Sequence, residues 1–418
     1  MRRGFWSALF CLVILIGCLS ASAAQVELTI WAWPAGTTNG DILARYIAMY
    51  EEQNPHVTIK VEKQGNQEKQ LLVAFAADAA PDIVQGVGTW ANTLGPMGVL
   101  LPLDSFIDGP NGFPRDDFID DLWSFCSVDG VTYQLAADSN ERALFVDADA
   151  AESTGIALSQ PIRDWNDLLQ WARKLTYRVG DKVERWGFDM HQENTGSRWH
   201  WIWLNEGEIF SKDKTQSVLD HPNTIEAIKF AADMVNSYHV SPRPGEVTGG
   251  SKQNFMNGKY GMMITASSFV KTLQERNANF ITVPGPPGPG KGGYRFSGAS
   301  NSVMGVLSSS KHPEEAWAFL RWLMYEQGVE FARELGGIPY LKNALRDPKY
   351  TRQPYNAFAV SITTYQPRNN YMAGVSTSDW MPQFDAAWAA ALRQEQAPEV
   401  AIQQAMDVIN ARMAELRK

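Results

Sequence analysis

The sequence has 418 residues, with 37 basic and 46 acidic side chains and a formal net charge of −9. This acidic balance disfavours a nucleic-acid partner, because the phosphates of a nucleic acid require a basic patch. A chain of this length is too long for one ordinary hydrophobic core and is about right for two lobes. The composition therefore predicts two lobes and no nucleic-acid partner.

Residues 1–24 have the features of a signal peptide. Two arginines supply a basic start, an almost uncharged apolar run follows, and small residues precede Gln25. Residues 15–18 also resemble a lipobox, in which Cys18 would be lipidated, but Leu19 is bulky for the position after a lipidated cysteine. We expect export to the periplasm with cleavage before Gln25, and we keep lipidation at Cys18 as the alternative. Cleavage would change the net charge to −11 and leave Cys126 as the one cysteine, so we expect no internal disulfide.

The pattern of apolar residues predicts alternating strands and helices. Strands are predicted at residues 26–31, 57–61, 83–84, 131–135 and 143–146. Helices are predicted at residues 41–52, 67–77, 164–175, 222–237, 313–334 and 398–417. Alternation of this kind favours α/β sheets with helices packed on their faces. No stretch after the leader offers eighteen uninterrupted apolar residues, so we expect no later membrane span.

Motifs for catalysis or cofactor binding are weak. Gly285 and Lys291 nearly fit a phosphate-binding loop, but Gly292 stands where a Ser or Thr must hold magnesium. Gly86 and Gly88 follow a strand as in a dinucleotide fingerprint, but glycine and proline interrupt the helix that this motif needs. The six histidines lack metal-binding spacing, and a nucleophile elbow is absent. We expect no metal, no cofactor and no enzyme activity, although two distant glycosidase carboxylates stay open as an alternative.

Tryptophan is the compositional outlier, with fifteen residues. Sugar rings stack on flat aromatic side chains, and sugar hydroxyls need polar partners. Trp33 follows the first strand, Trp90 follows a later strand, and Trp203 precedes Glu206. Open α/β sheets bind their ligands at the edge where such strands end. These rings are therefore candidates for contact with a sugar, and each could equally be part of the hydrophobic core.

Taken in order, several segments resemble the extracellular solute-binding proteins of sugar importers, the family that includes maltose-binding protein. They are the leader and residues 31–33, 75–85, 98–107, 130–147, 255–265 and 309–324. The resemblance implies a two-lobed periplasmic-binding-protein fold of type II, with discontinuous lobes joined by a hinge. It places lobe 1 at residues 25–138 plus 299–330, and lobe 2 at residues 139–298 plus 331–418.

The same resemblance implies a site and a partner. The solute would bind between the lobes, with the first crossing near residues 138–142 and the second near 298–300. The protein would deliver a carbohydrate to the transmembrane subunits of an ABC importer and act as a monomer. The expected ligand-binding residues are Trp33, Trp90, Asp138, Asn140, Arg142, Trp203, Glu206, Phe269, Ser300 and Trp380.

One departure from the family leaves the solute open. Relatives commonly carry a tryptophan shortly after the strand at 262–264, where this chain has Ser267, Ser268 and Phe269. Either Phe269 stacks on the solute instead, or this subsite is weaker. A polyol, a glycerol phosphodiester or a peptide is an alternative solute. A solute that bears phosphate would need converging cations, which Arg142, Arg198, Arg295 and Arg368 could supply.

Overall fold

A computed structural model describes residues 25–63, 68–88, 90–139, 141–190, 195–296, 302–368, 375 and 377–416. The strands in chain order are β1 (Val26–Ala32), β2 (Val57–Lys63), β3 (Ile83–Gly86), β4 (Ser127–Val128), β5 (Val131–Thr132), β6 (Leu135–Ala136), β7 (Asp138–Ser139), β8 (Arg142–Asp147), β9 (Tyr177–Val179), β10 (Lys182–Arg185), β11 (Met262–Ala266), β12 (Phe280–Val283), β13 (Tyr294–Phe296), β14 (Val303–Val306), β15 (Ile338–Pro339) and β16 (Gln366–Arg368).

The α-helices alternate with these strands. They are α1 (Thr38–Gln53), α2 (Glu68–Ala76), α3 (Trp90–Leu94), α4 (Asp104–Ile107), α5 (Asp120–Trp123), α6 (Ala148–Ser153), α7 (Trp165–Leu175), α8 (Thr195–Leu204), α9 (Pro222–Asn236), α10 (Ser251–Met256), α11 (Phe269–Glu275), α12 (Pro313–Arg321), α13 (Gly328–Leu335), α14 (Pro348–Thr351), α15 (Asn356–Thr364), α16 (Met381–Leu392) and α17 (Pro398–Leu416). Short 3-10 helices occupy Arg115–Asp117, Lys342–Arg346 and Thr377–Asp379, and a π-helical segment occupies Trp322–Glu326.

The first lobe is built on the five-stranded sheet β2-β1-β3-β14-β6. Strand β1 runs parallel to β2 and β3, whereas β14 runs antiparallel to both β3 and β6. Leu28 and Ile30 point into one core, and Val84 points into a second core on the opposite face. Because successive side chains in a strand face opposite sides, helices cover both faces of this sheet.

The second lobe is built on the antiparallel sheet β11-β8-β12. Strand β8 alternates in the same way: Leu144 and Val146 enter one core, and Ala143 and Phe145 enter another. The two α/β lobes expected from the sequence are therefore observed, each with its own sheet and cores on both faces of that sheet.

Most predicted elements are confirmed, with two informative differences. Helix α7 begins where the sequence predicts, because the Asp164 side chain accepts the backbone N–H groups of Asn166 and Asp167. The helix predicted at 313–334 is instead divided, because the Gln327 N–H bonds to the Trp322 carbonyl five residues earlier, as in a π-helix. The strand predicted at 131–135 is divided into β5 and β6.

Helix α13 lies on the first lobe. Its Phe331 packs edge-on against Tyr46 of α1, with ring centroids 5.0 Å apart, and its Glu334 pairs with Arg45. Beyond this helix, Tyr340 and Leu341 still pack in the first lobe's core. We therefore propose that the last lobe boundary lies after Leu341 and not at the predicted residue 330.

Tryptophans form much of the second lobe's core. Trp165 of α7 and Trp201 of α8 stack with ring centroids 4.2 Å apart and an interplanar angle of 2°. The Trp201 indole also donates a hydrogen bond to the Ala227 carbonyl at 3.0 Å. The ring of Trp201 has no exposed surface. These contacts fasten α8 to both α7 and α9.

We predict that Trp201→Ala lowers the free energy of unfolding by about 3–5 kcal/mol, because it leaves a large buried cavity. Chemical denaturation followed by circular dichroism measures this loss. Tyr177→Ala is the matched control, since Tyr177 is 54% exposed, and we expect it to change the free energy by at most about 0.5 kcal/mol. Similar losses in the two variants would contradict this account of the core.

Candidate functional site

One edge of the first sheet gathers several of the predicted residues. Strands β1, β2 and β3 end there, and β14 begins there, since Val303 pairs with both Gly86 and Ala136. Trp33 follows β1 directly, and Asp138 follows β6. The register of the sheet therefore brings Trp33 and Asp138 to the same edge.

The corresponding edge of the second sheet carries a buried cation. Arg142 begins β8, and its partner Ala266 ends β11. The Arg142 side chain is buried, and its Nε donates to Ser197 Oγ on α8 at 3.4 Å. Arg142 therefore connects the edge of the second sheet to α8.

A buried histidine on α8 lies near this arginine. Burial and, to a lesser extent, the positive charge of Arg142 lower the pKa of the His200 imidazole to about 3. His200 is therefore neutral at physiological pH. A β-carbon at Gly285 would lie 2.7 Å from His200 Nε2, so the chain that leaves β12 passes closely over this ring.

The first passage between the lobes contains an unusual buried carboxyl group. Glu141 has no exposed surface, its carbonyl accepts the Ser267 N–H at 2.8 Å, and its Oε1 accepts Ser139 Oγ–H at 3.0 Å. Burial raises the pKa of the Glu141 carboxyl to about 8, although the Ser139 hydroxyl and the Arg142 charge act in the opposite direction. Glu141 is therefore mostly protonated at neutral pH.

The predicted aromatic residues differ in exposure. Trp33 is partly exposed and packs against the first lobe's core. Trp90 is 3% exposed, and its ring lies against the backbone of Gly86, where a β-carbon would come within 2.2 Å of it. Trp203 is 1% exposed within the second lobe's core. Of these three rings, Trp33 offers the most surface to a solute.

Phe269 and Trp380 are also enclosed by protein. Phe269 begins α11, is 1% exposed and packs against Phe145 with ring centroids 5.5 Å apart. Trp380 is 1% exposed, stacks on Trp199 at 4.9 Å and meets Phe210 edge-on at 4.8 Å. Contact between a solute and either ring would require these neighbours to move, and the role of both in ligand binding stays a prediction.

Glu206 holds the loop of glycines and prolines at residues 284–293. Its Oε1 accepts the Gly292 N–H at 2.7 Å, while Gly288 N–H donates to the Leu204 carbonyl at 3.0 Å. Lys291 Nζ reaches Asn223 Oδ1 at 3.1 Å. These bonds fasten the loop to the C-terminal end of α8, so Glu206 has a structural partner in addition to its predicted ligand role.

Two predicted ligand residues, Asn140 and Ser300, lie outside the residues that the structure describes. Among the predicted residues that it does describe, Trp33, Trp90 and Asp138 follow strands that end at one edge of the first sheet, and Arg142 begins a strand at an edge of the second sheet. Phe269 follows the strand that ends beside Arg142, whereas Trp203, Glu206 and Trp380 lie elsewhere in the second lobe. All of these ligand assignments remain predictions.

The sequence predicts only part of a second polar cluster, which lies near the end of β16. The Arg368 guanidinium lies 3.7 Å from the centroid of the Tyr294 ring, and its Nε donates to Glu208 Oε1 at 3.3 Å. Burial lowers the pKa of Lys214, the charge of Glu208 raises it, and the charge of Arg368 lowers it. Arg368 stood out in the sequence as a partner for an anion, whereas Tyr294 and Glu208 become evident only once β13 and β16 pair.

Within the described ranges, no three His, Cys, Asp or Glu side chains gather to hold a metal ion. No helix in that part of the chain is both long and apolar enough to cross a membrane. Cys126 is buried, and burial raises the pKa of its thiol to about 12.

The family profile described as bacterial extracellular solute-binding protein matches residues 45–358, which is more than half of the chain. The chain belongs to this family. A Brucella abortus relative, whose name says only that it is a binding protein, is 28% identical over 360 residues and covers 83% of each chain. A maltotriose-binding protein of Pyrococcus abyssi is 23% identical over 317 residues, covering 73% of this chain and 64% of the relative.

Solved structures of sugar-binding and substrate-binding proteins have the same fold. The sugar-binding protein MalE of Xanthomonas citri superimposes with a TM-score of 0.80 at 19% identity, covering 94% of this chain and 98% of that one. An ABC substrate-binding protein of Listeria monocytogenes in complex with cycloalternan gives a TM-score of 0.78 at 20% identity, covering 93% and 99%. The family resemblance and the two-lobed α/β fold expected from the sequence are thereby confirmed.

We predict that Glu141→Gln changes how stability depends on pH. The pKa of Glu141 is about 8 in the folded protein and has the ordinary value of 4.5 in the unfolded chain. Between these two pH values the folded protein therefore keeps a proton that the unfolded chain releases. Rising pH therefore costs the native protein stability in this range, by up to about 1.4 kcal/mol per pH unit. Glutamine cannot ionise, so the stability of the variant relative to the native protein should grow from pH 5 to pH 8.

Urea unfolding at pH 5, 6, 7 and 8 measures the difference. Glu152→Gln serves as the control, because Glu152 is exposed on α6. If the free energy of unfolding depends on pH in the same way in the native protein and in Glu141→Gln, the prediction is contradicted.

Proposed function

We propose that this protein is the substrate-binding component of an ABC importer and captures a sugar or oligosaccharide between its two lobes. Two observations support the proposal: membership of an extracellular solute-binding family, and the position of Trp33 and Arg142 at an edge of the first and of the second sheet respectively. The partly exposed Trp33 indole provides a stacking surface, and polar groups such as Arg142 would bond to the sugar hydroxyls. The matched region, residues 45–358, includes strands of both sheets.

The proposed role includes delivery to a membrane permease. Contacts with solute from both lobes exist together only when the lobes are close, so binding shifts the population toward a closed state. The importer can then recognise closure itself. We place the protein in the periplasm, either free after cleavage before Gln25 or anchored through a lipidated Cys18, and we expect it to act as a monomer without enzyme activity.

A second candidate is capture of a solute that bears an anionic group, such as a glycerol phosphodiester. The Arg368 guanidinium, which donates to Glu208, and Lys214, whose charge interacts with both, favour it. Paired cations are suited to phosphate or carboxylate oxygens. The neutral sugar remains the first proposal, since names of several relatives specify saccharides, including maltotriose and mannotriose.

We predict that a panel of saccharides stabilises the protein against heat, because a ligand that binds only the folded state adds RT ln(1 + [L]/Kd) to its stability. At 100 times the dissociation constant this is about 2.7 kcal/mol. The panel should contain maltotriose, mannotriose, glucose and a glycerol phosphodiester. Native mass spectrometry of freshly purified protein identifies any solute that it carries.

The outcomes separate the candidates. Stabilisation by the phosphodiester alone would replace the sugar proposal with the second candidate. Release of a chemically altered saccharide would contradict the binding role and favour a carbohydrate-active enzyme.

We predict that Trp33→Ala weakens binding of the stabilising saccharide by roughly threefold to tenfold, the expected value of one aromatic stacking contact. Isothermal calorimetry measures the change. Trp31→Ala is the matched control: its indole donates to Glu62 Oε2 at 2.7 Å, and its ring packs against the opposite core of the first lobe. Unchanged affinity in Trp33→Ala, or equal weakening in both variants, would remove Trp33 from the site.

A further inference from the structure

Three stretches of chain connect the two lobes, and they meet at Asp138. The first stretch runs from β6 through β7 to β8, and the second enters β14 after Ser302. The third follows α13 and includes Gly337 and β15. Strand β7 pairs with β15, so that Ser139 lies opposite Ile338 and Asp138 lies opposite Pro339. The first and third stretches are therefore held side by side by backbone pairing.

The Asp138 side chain connects the second stretch to the paired first and third stretches. Ser302 Oγ–H donates to Asp138 Oδ1, and the Asp138 N–H donates to Ser302 Oγ at 3.3 Å. Asp138 is 4% exposed and Ser302 has no exposed surface. Each of the two residues thus serves the other as a buried polar partner across 164 positions of sequence.

The third stretch closes over the same carboxyl group. A β-carbon at Gly337 would lie 1.8 Å from Asp138 Oδ2 and 2.4 Å from its Cγ, which no real side chain tolerates. Glycine at 337 therefore allows the backbone to pass directly over the carboxyl group. A buried polar group without its hydrogen bonds costs considerable free energy. Displacement of any one stretch would disturb the contacts of the other two.

We propose that Asp138 is a positioning residue that sets the relative orientation of the two lobes through Ser302 and Gly337, and that it does not touch the solute. This replaces the ligand contact expected for Asp138 from the sequence. The inference rests on the proposed function only in assuming that the lobes move, and lobe movement can be measured without any solute.

Spin labels on the two lobes test the proposal. Met49→Cys on α1 and Val408→Cys on α17 introduce label sites at exposed positions, 41% and 53% exposed respectively. Cys126 stays unlabelled because it is buried. Double electron–electron resonance then gives the distribution of distances between the lobes in the protein without added solute.

We expect Asp138→Ala and Ser302→Ala each to broaden and shift this distribution. The double variant should shift it no further, because both changes remove the same connection and residues in contact are not additive. Asp138→Asn should restore a distribution close to that of the parent, since the amide oxygen still accepts Ser302 Oγ–H. Gly337→Ala should shift the distribution by a different route, by forcing the third stretch away from the carboxyl group.

A hydrogen-bonded pair of the same kind within one lobe is the control. Asp82 Oδ1 accepts Ser310 Oγ–H at 2.6 Å, and its Oδ2 accepts the Thr29 N–H at 2.8 Å, all inside the first lobe. Asp82→Ala and Ser310→Ala should lower the melting temperature and leave the distance distribution unchanged.

Several outcomes would overturn the proposal. They are an unchanged distribution in folded Asp138→Ala and Ser302→Ala, additive shifts in the double variant, or an equal shift in the Asp82→Ala control. Loss of affinity for maltotriose in Asp138→Ala with an unchanged distribution would instead make Asp138 a ligand contact. Failure of every saccharide to bind would contradict the proposed function and leave the spin-label result on the hinge intact.

Discussion

The chain must pass between two separately packed lobes, and among the polar groups described at these passages Asp138 and Ser302 are buried. A buried N–H, C=O or carboxyl group is tolerated only with a hydrogen-bonding partner. The short pairing of β7 with β15 and the bond between Asp138 and Ser302 supply such partners. Because these partners come from different passages, the hydrogen bonds that satisfy the polar groups of one passage also connect it to the others. The relative placement of the two sheet edges depends on this arrangement.

The lobes themselves are held by cores on both faces of each sheet, and tryptophan has a large part in the second lobe. The stacked pair Trp165 and Trp201 joins α7 to α8, while Trp199 and Trp380 stack at 4.9 Å to join α8 to the segment before α16. Abundant tryptophan in a solute-binding protein therefore does not by itself mark the site. Trp33 differs from these rings because it lies beyond the end of a strand and keeps exposed surface.

Local patterns in the sequence predicted the elements well, and the family resemblance predicted their arrangement. Helix α7 followed from its capping residue Asp164, and the alternation in β1 followed from Leu28 and Ile30. The site was less predictable, because a tryptophan such as Trp203 or Trp380 looks the same in the sequence whether its ring stacks on a solute or packs in a core. Periodicity also carries no information about contacts between distant residues. The pairing of Asp138 with Ser302 and the closeness of Gly337 to both arise only when the three passages converge.

The separation of the proposed binding residues at the sheet edges from the proposed hinge at Asp138 has an energetic consequence for solute binding. A solute shifts the lobes only by the difference between its affinities for the open and closed arrangements. Contacts made by one lobe alone, such as the proposed stacking on Trp33, would contribute equally to both arrangements and would add affinity without driving closure. Groups of the second lobe near Arg142, if they meet the solute only on closure, would supply the difference. Under the proposed function, bending the passages at Asp138 would cost free energy and lower the observed affinity. A stiffer hinge would therefore decrease the fraction of closed protein, and stronger contacts between the solute and the second lobe would increase it.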